Sequence, residues 1–362
     1  MGKARFLYKN LIADEATISV SSLRDGIVMG AMKDGEGSAV ITTSGSYTGS
    51  VDREYIIEID SVVAGNEIGQ ATFKWTNGGG AWNATGVATA DINIELECGV
   101  QVKWTAGAGN DFEPGDRWYF KTVNLFNPGK MIDMDRDSRY RSKELESPNT
   151  ITLDLSSLDD PTFRSLVLYD HNLTNGATIV LEADDAETFD SDGGSPQVSE
   201  AVAWNADRIV HYPAAAIAKD YVRLKITDTA NPDGCIEIAE LFLGNYFEPS
   251  KNFSLGGGAA RRMLFNENST PFGKRRRRYF NARRSFGLSY DHIPEADVDG
   301  FDALFEEIGD RDTGILRPIW FNEDSAHPSR TWMVGLTELP VARPLADKYS
   351  LTLDMVEEVK SV

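Results

Sequence analysis

Residues 125–182 read LFNPGKMIDMDRDSRYRSKELESPNTITLDLSSLDDPTFRSLVLYDHNLTNGATIVLE, and their strand signals set the predicted architecture. Residues 151–155 alternate apolar and polar side chains with period two, which is typical of a strand with one buried face. Residues 165–169 are a short apolar run, and residues 172–176 are a turn cluster before another apolar segment. The stretch therefore predicts consecutive strands of a β-sandwich.

The order of motifs in this stretch carries a resemblance. A Leu-containing entry, an Asp-rich turn, Tyr140-Arg-Ser142 and Ile151-Thr-Leu-Asp-Leu155 follow one another. This order resembles the middle of a discoidin-like, galactose-binding jelly roll. The resemblance implies an earlier first strand, and the upstream segment that fits such a strand is residues 16–22.

Between that first strand and the resumed jelly roll, strand signals recur at short spacing. Gly-rich turns such as residues 78–80 and 107–110 separate them, a pattern that indicates a β-sandwich. The sequence thus predicts a jelly roll split into residues 1–34 and 124–248, interrupted by an inserted β-sandwich over residues 35–123. In this arrangement residues 123–127 lie beside residues 34–37.

Residues 249–362 are predicted to form a C-terminal α+β domain. Residues 277–290 alternate well enough for a long strand. An amphipathic helix is predicted to begin at Pro294 and to end at Gly309, and its apolar face consists of Val298, Phe301, Leu304, Phe305 and Ile308. Further strands are predicted over residues 316–322, 331–339 and 349–359. The fold class is therefore mainly β with one amphipathic helix.

Three regions of the chain resemble proteins of bacteriophage tails. Residues 45–49, 54–60, 71–75 and 111–116 are similar to a small β-module of tail and appendage proteins. The pair RLKITD and NPDGCIEIAELFLG within residues 221–244 resembles the end of galactose-binding-like domains in phage tail proteins. The C-terminal order of strand, helix and strands, ending in YSLTLDMVEE, resembles the ring-forming domains of tail-tube and distal-tail proteins.

These resemblances imply a structural function. The chain is expected to be a subunit of a distal-tail or baseplate-type ring in a long, non-contractile phage (siphophage) tail, with a hexameric ring as the expected homo-oligomer. Its expected partners are other tail proteins (tube, hub and fibres), and its expected location is the virion tail after assembly in the bacterial host cytoplasm. A carbohydrate-binding adhesin or receptor-binding tail protein is the alternative, and a glycan hydrolase is the third hypothesis.

Charge is distributed unevenly along the chain. The net charge of −20 argues against general nucleic-acid binding. Residues 251–284 nevertheless contain ten basic residues and one acid. An acidic body with one basic segment favours contact between copies or with a partner through complementary charge. The residues predicted to make this inter-subunit contact are Lys274, Arg275, Arg276, Arg277 and Arg278.

The Asp-rich turn is a candidate calcium site. Asp133, Asp135, Asp137 and Glu144 match positions 1, 3, 5 and 12 of an EF-hand loop, where oxygen ligands surround one ion. Ser138 stands where that loop requires glycine, and neighbouring arginines add opposing charge. A solvated or arginine-paired turn is therefore the alternative to a structural calcium ion, and no other cofactor is expected.

A sugar site is implied by the galactose-binding resemblance, since such domains bind sugar on loops at one end of the sandwich. A spacer or interaction module without sugar is the alternative. The candidate carbohydrate-binding residues are Tyr140, Arg141, Tyr169, His171, Asn172 and Trp204.

No catalytic signature is present in the sequence. His171, His211, His292 and His327 are scattered, and neither a Gly-x-Ser-x-Gly nor a phosphate-binding loop occurs. Acids are too frequent for one glycosidase-type pair to stand out. The N-terminus lacks the apolar core of a secretory signal, and no apolar run is long enough to predict membrane insertion. The two cysteines are expected to be reduced thiols.

Overall fold

The computed structural model describes residues 2–12, 17–78, 80–254, 258–269, 275–309, 316–337, 343–345 and 348–359. For residues 258–259, 261–269, 275–281 and 343–345 it is the backbone that is described. The chain divides into two compact units. The small unit is Ser22–Lys130 with Tyr140–Glu144, and the large unit is Met1–Ser21, Met131–Arg139 and Leu145–Val362.

The structure is mainly β. Two strands precede the small unit, β1 (Arg5–Asn10) and β2 (Ile18–Val20). The small unit contains β3 (Ile27–Val28), β4 (Met32–Asp34), β5 (Val40–Gly45), β6 (Arg53–Ser61), β7 (Thr72–Thr76), β8 (Ala84–Ala88), β9 (Ile94–Glu95), β10 (Val100–Thr105), β11 (Arg117–Val123) and β12 (Tyr140–Arg141). A 3-10 helix, Pro128–Met131, follows β11.

The remainder of the large unit holds the other elements. Its strands are β13 (Asn149–Asp154), β14 (Thr162–Phe163), β15 (Ser165–His171), β16 (Thr178–Asp184), β17 (Val198–Val202), β18 (Arg208–His211), β19 (Ile217–Ala218), β20 (Tyr221–Thr227), β21 (Glu237–Phe247), β22 (Gly258–Ser269), β23 (Arg275–Ile293), β24 (Ile319–Asn322), β25 (Thr331–Leu336), β26 (Arg343–Leu345) and β27 (Lys348–Glu357). Helix α1 (Glu295–Ile308) lies between β23 and β24.

The small unit is a β-sandwich. Its sheets have the orders β5–β10–β9 and β3–β11–β6–β7–β8, with β4 also paired to β11. Strand β6 reads REYIIEIDS and buries Tyr55, Ile57 and Ile59 in alternation, as period two requires. Phe73 of β7 meets Trp104 of β10 with ring centroids 4.7 Å apart. Side chains from both sheets therefore fill one core.

One sheet of the large unit has the order β17–β16–β20–β13–β2. Strand β20 reads YVRLKIT and buries Val222, Leu224 and Ile226. Strand β2 lies at the other side of β13, with Ile18 opposite Leu153. The first strand expected near residues 16–22 thus pairs within this sheet, as β2.

A second sheet of the large unit runs in the order β18–β15–β21–β1–β24–β25–β27–β23–β22. Strand β1 joins its halves, since Phe6 lies opposite Phe247 of β21 and Phe321 of β24. The sequence predicted no strand over residues 5–10, and the structure corrects this by placing β1 there. Phe6 and Leu7 are both buried, so this strand has two covered faces and lacks the alternation of a half-buried strand. The sheet therefore continues across the predicted boundary at residue 249.

Helix α1 confirms the predicted amphipathic helix. Pro294 occupies the N-cap and Gly309 the C-cap, while Phe301, Leu304, Phe305 and Ile308 are buried. The Phe301 ring meets Phe6 edge-on, with centroids 5.6 Å apart. The helix thus packs its apolar face against the central strand of the long sheet.

The start of the inserted sandwich differs from the expectation. Asp34 lies opposite Arg117, and Ile27 lies opposite Val123. The prediction that residues 123–127 lie beside residues 34–37 is therefore wrong, because residues 27–34 already pair with β11. These residues gave no strand signal, since Ile27 and Met32 are exposed and only short ladders form.

Two further observations complete the fold. Among the described residues, no helix has both the length and the apolar character of a membrane span. Cys98 and Cys235 are free thiols, the first exposed and the second buried.

Candidate functional site

A cavity of about 280 Å³ lies beside strand β15 in the large unit. It contains two residues predicted from the sequence, Tyr169 and His171, but most of its charged groups come from elsewhere in the chain. Its wall consists of Arg136, Tyr169, Asp170, His171, Ala206, Asp207, Arg208 and Glu357. We call this site the β15 cavity.

Tyr169 forms the aromatic base of the β15 cavity. It is 3% exposed, and it faces Glu240 of β21 and Arg208 of β18 in the sheet register. The guanidinium carbons of Arg136 and Arg208 lie 4.7 Å and 5.4 Å from its ring centroid. Cations within about 6 Å of a ring face are attracted by its quadrupole. The ring therefore holds two arginines and has no exposed face on which a sugar could stack.

The two arginines are also held by the backbone. Arg136 donates to the Glu358 carbonyl, and Arg208 donates to the Thr331 carbonyl. Arg136 Nη2 lies 4.0 Å from Asp170 Oδ2. Planar guanidinium groups that are stacked and hydrogen-bonded lose few further degrees of freedom on binding a ligand. Both side chains are therefore preorganised parts of the cavity wall.

Asp170 occupies a left-handed backbone conformation, with a φ of 52°. Aspartate is one of the few non-glycine residues that adopts this region readily. Its N–H donates to the Asp207 carbonyl at 3.1 Å, which ties β15 to the segment before β18. Unusual backbone conformations of this kind concentrate at functional sites.

His171 is a neutral member of the cavity wall. Its Nδ1 accepts a hydrogen bond from the Leu173 N–H at 3.2 Å. Burial lowers the pKa of His171 below its usual value, because the imidazolium form would lose its hydration, although a hydrogen bond to the Asn205 backbone opposes the shift. The imidazole therefore adds no positive charge to the cavity at neutral pH.

Asn172 and Trp204 have structural partners. The Asn172 side chain accepts from the Glu237 N–H at 2.8 Å and donates to the Cys235 carbonyl at 2.9 Å. The Trp204 indole N–H donates to the Leu173 carbonyl at 3.0 Å. Neither residue lines the β15 cavity. Their polar groups hold the loops next to β15, so a direct sugar contact by them stays a prediction.

Tyr140 and Arg141 belong to the small unit. Tyr140 is 2% exposed, and its hydroxyl donates to the Ser22 carbonyl. The Arg141 guanidinium lies 4.6 Å from the Phe126 ring centroid. Because the Tyr140 ring is buried, it offers no stacking face, and the sugar-binding role predicted for it has no geometric support.

The Asp-rich turn binds its own backbone. Asp133 Oδ1 accepts from the Asp135 N–H at 3.0 Å, and Asp135 Oδ1 accepts from the Asp137 N–H at 2.9 Å. The Ser138 hydroxyl donates to Asp133 Oδ2 at 2.7 Å. These are successive Asx turns, in which the carboxylates satisfy backbone donors.

The geometry gives no support to the predicted calcium site, which stays a prediction. Within the part of the chain that the structure describes, no group of three or more His, Cys, Asp or Glu residues is placed to hold a metal ion. Glu144, the fourth predicted ligand, belongs to the small unit, where its N–H is bonded to the Ser22 hydroxyl oxygen at 3.3 Å. The EF-hand spacing alone therefore does not establish a calcium site.

Glu240 is a buried acid that the sequence did not single out. It is 1% exposed on β21, and its Oε1 has no hydrogen-bond partner among the described residues. Burial first, and then the nearby Asp133 and Asp135, raise the pKa of Glu240 to about 9, although Arg136 opposes the shift. Its carboxyl group is therefore protonated at neutral pH.

The basic run lies in a long β-hairpin. Lys274 falls outside the described residues. The backbone of the four arginines belongs to β23, and it pairs with β22 from Arg275 opposite Ser269 to Arg278 opposite Asn266. Strand β23 pairs with β27 only from Ser285 onward. We call residues 261–269 and 275–284 the hairpin arm. In the described chain, β22 is the strand partner of β23 along this arm.

Sequence reasoning missed the charged residues that complete the β15 cavity. Arg136 was recognised only as a counter-charge in the Asp-rich turn, and Asp207 and Arg208 follow an ordinary turn. Glu357 is the last residue of β27. No spacing rule links these positions, because the long sheet alone brings β15, β18 and β27 into one unit.

Comparisons with known proteins assign no family. No family model matches the chain, and no curated protein matches its sequence. Similar solved structures include a Ruminococcus gnavus GH29 fucosidase in complex with fucose, at 11% identity and a TM-score of 0.27. A second is chitosan-binding module 1 from a Paenibacillus sp. IK-5 chitosanase/glucanase, at 18% identity and a TM-score of 0.27. A third is a striped bass (Morone saxatilis) serum f-lectin, at 11% identity and a TM-score of 0.24.

The extent of these similarities differs. The fucosidase match covers 34% of this chain and 23% of the fucosidase, so this chain spans about a quarter of that protein. The chitosan-binding module match covers 33% of this chain and 86% of the module. The f-lectin match covers 68% of this chain and 96% of the f-lectin. At these TM-scores the matches assign no function to this chain.

Proposed function

We propose that this chain is a non-catalytic structural subunit of a bacteriophage tail tip, which assembles with copies of itself through the hairpin arm. The single observation that carries this proposal is the arm. Strand β22 is 12 residues long, and it forms the last strand in the order of the long sheet. The arm extends β22 and β23 beyond the region that β27 covers.

The open edges of the arm favour addition of another strand. An isolated two-stranded hairpin is at best marginally stable in water. Its outer edges also present backbone N–H and C=O groups that another strand can pair with. A strand or sheet edge from a second copy would supply those partners and stabilise the arm.

Charge supports a second copy as that partner. The segment 251–284 carries ten basic residues and one acid in a chain whose net charge is −20. The arginine-rich arm of one copy would therefore be attracted to the acidic body of the next. The phage location rests on the resemblance of the C-terminal strand–helix–strands order to ring-forming tail domains.

Sedimentation velocity tests the proposal on the intact chain, alone and with purified tail-tube partners. The wild type is expected to form a ring, with a hexamer as the expected stoichiometry. The double variant Arg276→Glu/Arg278→Glu is expected to remain monomeric. Lys33→Glu/Lys121→Glu makes the same charge change at exposed lysines of the small unit and should assemble normally. Normal assembly of the arginine variant would refute a role for the arm.

Glycan binding is the second candidate, and the β15 cavity is the observation that favours it. Its wall combines guanidinium donors with carboxylate acceptors, a mixture that suits hydroxyl groups. A host-surface glycan array tests this candidate. Wild type should bind and Asp207→Ala should bind less, while Asp192→Ala, the same change at an exposed acid of the large unit, should bind as wild type does. If the wild type bound no glycan on the array, the glycan-binding candidate would be refuted.

A further inference from the structure

We infer that the β15 cavity binds a primary ammonium group, such as the amine of an amino sugar. This inference rests on the second proposed function, since it names the ligand class of the same cavity. Three lines of observation lead to it: the balance of charge in the wall, the commitments of the two arginines, and the acids near Glu240.

The wall has an excess of acceptors. Three carboxylates, on Asp170, Asp207 and Glu357, face two guanidiniums. His171 adds no charge, because burial lowers its pKa. Glu357 Oε2 accepts from the Arg284 N–H at 3.0 Å, so that carboxylate is fixed in position while its charge stays in the wall. A bound cation would therefore meet fixed negative charge.

The two guanidiniums of the wall, on Arg136 and Arg208, already have partners and are therefore less available to bind a ligand. Both guanidiniums stack on Tyr169, and both donate to backbone carbonyls. Arg208 also lies 5.6 Å from the Trp332 ring centroid. An anionic ligand would have to compete with these existing partners, whereas an ammonium group would add hydrogen bonds to carboxylate oxygens.

Two further acids, Asp133 and Asp135, add negative charge near Glu240. Asp133 and Asp135 lie close enough to Glu240 to raise its pKa, in addition to the effect of burial. Arg136 is the cation that opposes this effect. Arg136, whose charge opposes these acids at Glu240, also lines the β15 cavity.

The size of the cavity restricts the ligand. Pockets for drug-sized molecules usually measure roughly 300–1,000 Å³. At about 280 Å³, the β15 cavity suits a single sugar ring or a short amine. It has no exposed aromatic ring, so polar contacts would have to supply the recognition.

Three probes test the inference on the intact chain by NMR or calorimetric titration at pH 6.5. Glucosamine carries the ammonium group on a sugar, N-acetylglucosamine carries the same sugar without the charge, and Nα-acetyllysine amide carries the ammonium without the sugar. If glucosamine binds more tightly than both other probes, the inference is supported, and the ammonium group belongs to a sugar. If glucosamine and the lysine amide each bind, the inference is supported, and the ammonium group need not belong to a sugar.

The remaining outcomes overturn the inference. Equal binding of glucosamine and N-acetylglucosamine would refute recognition of the ammonium group while leaving the glycan-binding candidate intact. Binding of none of the probes would refute the inference, and the separate glycan array then decides whether the cavity binds other sugars.

Variants locate the binding. Asp170→Asn keeps a side chain that tolerates the left-handed backbone, and it should weaken glucosamine binding about tenfold. Asp207→Asn, at a more exposed position, should weaken it about two- to fivefold. Asp192→Asn removes an exposed acid that does not line the cavity and should leave the affinity unchanged. An equal loss in all three variants would show a general charge effect and would refute this site.

Discussion

Trp104 in the small unit and Tyr169 in the large unit are both buried aromatic residues, but their surroundings differ. Trp104 meets Phe73, Phe112 and Trp118, with ring centroids 4.7, 6.1 and 6.2 Å away. Tyr169 meets the Trp320 ring at 4.8 Å and also the guanidiniums of Arg136 and Arg208. The first ring fills an apolar core, whereas the second positions charged groups around a cavity.

This difference shows that burial alone does not reveal the role of an aromatic residue. An apolar cluster depends on packing and is insensitive to pH. A ring that holds cations, with a buried acid opposite it in the sheet, responds to pH and to charge substitutions. Substitutions in the two regions should therefore change protein stability in different ways.

The largest effect is expected for Trp104→Ala. Removing a fully buried Trp leaves a cavity in the sandwich core, which should cost about 3–5 kcal/mol of unfolding free energy. Chemical denaturation monitored by far-UV circular dichroism measures it. Trp82→Ala is the matched control, because Trp82 is 39% exposed and should have a small effect. Similar losses in both variants would contradict the assignment of Trp104 to the core.

The next effect concerns Glu240→Gln. The folded-state pKa of Glu240, about 9, lies above its ordinary value of 4.5, so the folded protein holds an extra proton between these pH values. Its stability should therefore fall as pH rises through that window. Glutamine resembles the protonated acid and cannot ionise, so the variant should be at least ~2 kcal/mol more stable at pH 8.5. Denaturation at pH 5 should show little difference, and equal stability at both pH values would contradict a buried, protonated acid.

A smaller effect is expected for Tyr169→Leu. This change keeps an apolar side chain but removes two cation–π contacts, so it should cost about 1 kcal/mol beyond the change in packing. Tyr169→Phe retains the ring face and serves as the control. Melting temperatures of the two variants provide the measurement. If phenylalanine costs as much as leucine, the arginines do not depend on the ring.

The smallest effect is expected on adding a chelator. Because Asp133 and Asp135 accept hydrogen bonds from their own turn, EDTA should leave the melting temperature unchanged. Scanning calorimetry with EDTA and then with excess calcium makes this test. A calcium-dependent increase in the melting temperature would restore the calcium hypothesis.

Several elements were predictable because local pattern and tertiary environment agree in them. Strand β20 alternates buried and exposed residues, and helix α1 combines one apolar face with Pro294 and Gly309 at its ends. Strand β1 was missed, since adjacent buried residues Phe6 and Leu7 give no period-two pattern. The edge strands β3 and β4 were missed because they are only two and three residues long.

The candidate site was predictable only in part. Tyr169 and His171 were selected as aromatic and His residues of the kind that the galactose-binding resemblance implies, and both line the cavity. Tyr140 was selected for its residue type, yet its ring is buried. A side chain that carries the right chemistry can point inward or outward, and a short irregular loop does not reveal which.

The sequence by itself determined that the chain is mainly β, that one amphipathic helix follows a long strand, and that positive charge concentrates before that helix. Periodicity and composition are local properties, so they can be read without coordinates. The tertiary structure alone decided that β1 joins the two halves of the long sheet, and that Arg136, Asp207, Arg208 and Glu357 surround Tyr169. These groups are distant in sequence, and only the strand order of the folded chain brings them together.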